Sequence, residues 1–128
     1  MDKNTTIETK RQRFVVKIDE QVIKKIAGLV TNNIEGVLSL NGNFISGLKD
    51  QFAKNGDITK GVQAEVGKKQ VAVDLDVILE YGIDIPETAE KIKKSVTKEI
   101  ETLTHLEVIE ININVVDVQT RQEFKDMA

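Results

Sequence analysis

The sequence predicts one α+β domain in which helices cover one face of a mixed four-stranded sheet, in the order strand, helix, short helix, hairpin, long helix, strand. Three observations carry this. Apolar residues recur at every second position from Val62 to Val66 and again from Val71 to Leu79, the period of a strand with one buried face. From Ile85 to Leu103 they recur by threes and fours, which is the stripe of a helix lying on that face. Ile109, Ile111, Ile113 and Val115 then return to period two against Glu110, Asn112 and Asn114.

Taken from the start, Phe14, Val16 and Ile18 alternate with Val15 and Lys17 and predict a short first strand. Asp19 stands at a helix N-cap with Glu20 in the first turn, where a carboxylate suits the helix dipole. Val22, Ile23, Ile26, Ala27, Leu29, Val30 and Ile34 follow at helical spacing. A helix is therefore predicted over Glu20 to Asn32, ending near Asn33 and Gly36. Val37 to Leu40 reads as a strand fragment or as a buried connection, and it leads into the turn-forming trio Asn41-Gly42-Asn43. Ile45, Leu48 and Phe52 predict a short helix from Ile45 to Lys54, with Gly47 inside it as a weak point.

The hairpin is the clearest local signal. Val62, Ala64 and Val66 face one way and Gln63 and Glu65 the other; Gly67-Lys68-Lys69-Gln70 turns the chain. Val71, Val73, Leu75, Val77 and Leu79 then alternate with Ala72, Asp74, Asp76, Ile78 and Glu80. A slip of one residue would put five aliphatic side chains in water, so the register is firmly specified. Tyr81-Gly82 ends the strand, and Pro86 belongs in the first turn of a helix running to about Thr104. The domain is predicted over 13–119, with a flexible segment at 1–12 and a charged tail at 120–128 that has room for one helical turn.

The chain has 128 residues, 40% hydrophobic and 30% charged, enough for one core under a soluble surface. Its net charge of −3 gives no overall field attracting a phosphate backbone. There is no cysteine, so disulfides and thiolate metal sites are excluded. The polar start, Met1 to Arg13, predicts no secretory signal, and Ile26 to Val30 is far shorter than the ~20 apolar residues of a bilayer span. Membrane contact is expected to be peripheral or through a partner.

Little here looks like chemistry. Asp74 and Asp76 project from the same strand face, but their spacing does not match a calcium loop, and a solvated sheet face explains them. His105, the only histidine, has no evident nucleophile or orienting partner and reads as a helix C-terminal residue. The glycines are scattered and open neither a P-loop nor a dinucleotide-binding turn. Lys91, Lys94 and Lys98 share a helix face, with Glu87 and Glu90 four residues ahead of Lys91 and Lys94 for intrahelical pairing. Lys10, Arg11 and Arg13 form a second small basic spot. The element order is also similar to that of KH domains, which bind single-stranded RNA. The linker Gly42 to Gly47 separates its glycines too widely for the Gly-x-x-Gly loop, so RNA binding stands as the alternative reading.

Assembled in order, the chain resembles the alkaline shock protein family, small envelope-stress proteins of Gram-positive bacteria. The resemblance rests on Ile26-Ala27-Gly28, Gly36-Val37, Gly42-Asn43-Phe44, Ser46-Gly47 and Lys60-Gly61-Val62. It is strongest from Val73 to Gly82 and continues through Ile85-Pro86, Leu103 to Val108 and Ile111 to Val115, covering about residues 14 to 118. The family pattern usually has glycine where His105 stands. The resemblance implies a non-enzymatic cytoplasmic protein, without cofactor, held near the inner membrane face by a membrane-anchored protein partner and able to self-associate. Some branches of the family are tied to lipid synthesis instead. Expected contact residues are Phe44, which reads equally well as core, and the polar sheet face of Asp74, Asp76, Asn112 and Asn114.

Overall fold

A computed structural model describes residues 12–40 and 57–127. Within them lie helix α1 (Glu20–Asn32), strand β1 (Val37–Leu40), strand β2 (Val62–Val66) and strand β3 (Gln70–Glu80). Helix α2 (Ile85–Thr104), strand β4 (Glu107–Gln119) and helix α3 (Arg121–Met127) follow. The architecture is the predicted α+β arrangement with a mixed four-stranded sheet.

The two main helices start where their caps dictate. The Asp19 carboxylate accepts the Gln21 N–H at 2.9 Å and that of Asp84 accepts the Glu87 N–H at 3.0 Å, each satisfying a donor that the first turn leaves free. Pro86 sits in the first turn of α2, where its missing N–H costs nothing. At the other end, His105 takes a left-handed conformation (φ 64°) and returns its N–H to the Glu101 carbonyl at 2.9 Å.

Strand β3 is the centre of the sheet. On one edge β4 runs parallel to it from Gln70↔Glu107 to Glu80↔Gln119, with α2 as the crossover. A strand has only two edges, so the antiparallel β2, paired with Val71 to Leu75, and β1, paired with Val77 to Leu79, lie end to end along the other. Strand β4 carries one extra residue at two places, Ile109 between the pairs of Val71 and Ala72 and Val116 between those of Val77 and Ile78. These bulges leave Ile109 and Val116 52% and 46% exposed.

Helices and sheet meet in one core. Ile23 and Ala27 of α1 and Ile92, Val96 and Ile100 of α2 are fully buried against Val73, Leu75, Val77 and Leu79. Each isoleucine, leucine and valine among them contributes roughly 1.5–3 kcal/mol of transfer free energy, most of it offset by chain entropy.

Three local expectations change. Residues 12–19 form no strand: Phe14, Val15 and Val16 are 79%, 67% and 68% exposed, and both edges of β3 are taken by other segments. The fourth strand is instead Val37–Leu40, which resolves that segment in favour of its strand reading. The tail forms a helix of two turns rather than one, because Thr120 and Glu123 make a reciprocal capping box. The Glu123 N–H reaches Thr120 Oγ1 at 3.0 Å, and the Thr120 N–H reaches Glu123 Oε1 at 2.8 Å. The expected short helix over 45–54 lies outside the described residues.

Candidate partner-binding face

The alternation that buries one side of β3 sends its polar residues to the side away from the helices. Pairing with β2 and β4 then arranges them in cross-strand rows. Glu65, Ala72 and Glu110 form one row, and Gln63, Asp74 and Asn112 the next. Asp76 and Asn114 form a third. Four carboxylates stand on these rows and no lysine or arginine does.

The predicted residues Asp74, Asp76, Asn112 and Asn114 are thus brought together, and in direct contact. Asn112 Nδ2 donates to Asp74 Oδ1 at 2.7 Å, and Asn114 Nδ2 donates to Asp76 Oδ1 at 2.9 Å. The second hydrogen of the Asn112 amide serves Glu110 Oε2 at 2.9 Å. The result is a ladder of carboxylates and amides that leaves carboxylate oxygens open to an incoming donor. Phe44 lies outside the described residues.

Two shallow grooves extend the face. One, of about 500 Å³, reaches from Asp74, Glu110 and Asn112 past Glu65 to Glu20 and Lys24 on α1. The other, of about 460 Å³, runs from Asp76 and Asn114 to Asp57 and Thr59, with Lys24 and Lys60 on its wall. There the Thr59 hydroxyl and the Thr59 N–H, at 2.6 and 2.9 Å, hold the Asp57 carboxyl below its ordinary value of 3.8. The face ends at Ile78, which parity places on the acidic side but which is only 2% exposed.

Sequence reasoning missed the contribution of α1. Its signal was the Glu20/Lys24 pair, four apart and one turn from the helix start, which shares a helix side that overhangs β2. Among the described residues no three histidines or carboxylates converge as a metal-holding group. His105 is the helix cap it was read to be. On α2, Glu90 pairs with Lys93 at 3.2 Å rather than with the expected Lys94, since positions three and four residues on compete for the same carboxylate. No helix among the described residues is long and apolar enough to cross a membrane.

Residues 8–120 match the model of the alkaline shock protein 23 family, described as having a cell envelope-related function. Stress response regulator gls24 homologs of Streptococcus pyogenes, among them that of serotype M3, are 43% identical over 124 residues, covering 96% of this chain and 69% of theirs. YqhY, an uncharacterized protein of Bacillus subtilis, is 30% identical over 104 residues, covering 81% of this chain and 76% of its own. No solved structure matches the chain.

Proposed function

Because the chain belongs to the alkaline shock protein 23 family, of cell envelope-related function, we propose that it serves the stress response as a non-enzymatic interaction module of the cell envelope. Its binding surface is the acidic ladder of β3 and β4. Its partner is a membrane-anchored protein, or a further copy of the chain, that keeps it at the inner face of the membrane. The stress reading is supported by the printed name of its streptococcal relatives, stress response regulators.

One observation carries the choice of surface: four carboxylates with open oxygens on the outer face of the sheet, where among the described residues Lys24 and Lys60 stand at the edge of the grooves and no lysine or arginine stands on the strand rows themselves. Such a face suits a partner presenting arginine or lysine, because a guanidinium engages a carboxylate through two parallel hydrogen bonds. It repels a nucleic-acid backbone, which weighs against RNA binding here. The test is a fluorescent fusion of the full chain followed in cells. Wild type should lie at the cell periphery, and Asp74→Lys/Asp76→Lys should become diffuse while circular dichroism of the purified variant remains native. A folded variant still at the periphery would remove the ladder from the binding surface.

A further inference from the structure

We infer that the end of the sheet opposite in charge to the ladder is a docking surface for an anionic lipid bilayer. Here the extended segment 12–18 meets the β2–β3 turn and the end of α2 around an open cleft of about 770 Å³. Its apolar lining is Val15, Val16, Ile18, Val66 and Leu106. Its charged lining is Lys17, Lys68 and Lys69, with no carboxylate among the described residues. That is a strong local bias in a chain with 21 acidic and 18 basic residues. All three lysines are exposed and, among the described residues, none has an ion-pair partner.

The apolar residues point to a bilayer rather than to a small anion or a nucleic acid. Phe14, outside the cleft, is 79% exposed, and Val15 and Val16 beside it are 67% and 68% exposed. Three adjacent large apolar side chains in water, beside cations without counter-charges, are the composition of an interfacial anchor. Lysines near an anionic leaflet are attracted to its surface potential, while neighbouring apolar side chains enter the acyl boundary. The backbone of 12–19 is in no helix or strand, so its polar groups need water and hold the segment at headgroup depth. Single-stranded nucleic acid would call for several aromatic stacking platforms, and among the described residues this surface has only Phe14 and the imidazole of His105. The contact is with lipid itself, so vesicle binding does not depend on the partner proposed above, but as a single weak anchor it does not by itself hold the chain at the membrane in cells.

The test uses the purified full chain and vesicles of phosphatidylcholine with or without phosphatidylglycerol. Wild type should co-sediment with the phosphatidylglycerol vesicles at low salt and not with phosphatidylcholine alone. Lys68→Gln/Lys69→Gln, in an exposed turn, should weaken binding by about twenty-fivefold, at about fivefold per lysine near the surface. The chain has no tryptophan, so Phe14→Trp gives a single reporter whose emission should shift to the blue on the anionic vesicles. Absence of sedimentation, absence of the blue shift, or undiminished binding by the lysine variant would each overturn the inference. So would binding of single-stranded RNA, lost in the same variant, without vesicle binding. Asp74→Lys/Asp76→Lys should not reduce vesicle binding, which separates failure here from failure of the partner reading.

Discussion

Asn112 reaches across the parallel β3–β4 pair and places its amide between the carboxylates of Asp74 and Glu110, at 2.7 and 2.9 Å. The contact is exposed, so its worth to the fold is small. A double-mutant cycle with Asp74→Ala and Asn112→Ala, read by urea unfolding, should give a coupling of about 0.2–1 kcal/mol. A larger value would make the ladder a structural device rather than a surface available to a partner.

Gly28 faces the chain returning toward β2 across a gap that admits no side chain. A methyl at Gly28 would run into the carbonyl oxygen of Ile58, a backbone atom that cannot swing aside. Gly28→Ala should therefore destabilise by about 1–3 kcal/mol, although alanine is the better helix former. Thermal unfolding would show it, and an unchanged or raised midpoint would mean the two segments part easily.

Thr31, also on α1, is fully buried, and its hydroxyl has no hydrogen-bond partner among the described residues. Valine keeps the shape and removes the unsatisfied group. Thr31→Val is expected to stabilise by about 1–2 kcal/mol in chemical denaturation. Loss of stability would reveal an ordered water on the hydroxyl.

His105 occupies the left-handed cap of α2 with φ 64°, a conformation that costs a residue with a Cβ roughly 1–2 kcal/mol. This is the physical reason that glycine would suit the position better. His105→Gly should raise stability by up to about 1 kcal/mol once the greater freedom of glycine in the unfolded chain is counted. Differential scanning calorimetry is a sufficient readout.

The Asp57 carboxyl is held below 3.8 chiefly by the Thr59 hydroxyl, then by the Thr59 N–H. A lowered folded value stabilises at pH above the unfolded value and loses that contribution as pH falls through the folded one, so the affected window lies below 3.8. Thr59→Val removes the hydroxyl and leaves the N–H. NMR titration should then find Asp57 shifted upward, toward but not above its ordinary value.

Much of the fold was legible because local chemistry and global packing agree in it. Asp19, Asp84 and Pro86 mark helix starts by what the first turn needs. The period-two run of β3 admits only one register. The N-terminal segment was misread because Phe14, Val15 and Val16 put apolar groups on both sides at once, while strand formation also needs a partner edge that no local pattern reveals. Strand β1 is its counterpart: four residues with little alternation, stabilised by a place on β3 beside β2. Of the binding face, parity gave the side on which Asp74, Asp76, Asn112 and Asn114 stand. Their pairing depended on the parallel register of β4, which is set across 38 residues of sequence and is invisible to short-range patterns. The capping box of Thr120 and Glu123 was readable in principle and was passed over as a charged tail.

The displaced residues Ile109 and Val116 also bear on how the protein behaves when crowded. The outer side of β4 is a natural template for a foreign strand, yet between its two bulges only Glu110 to Val115 keep an unbroken rhythm. A visiting chain would find six residues in step and then lose count at either end. A protein built this way can keep a long strand at its margin without that margin seeding fibres.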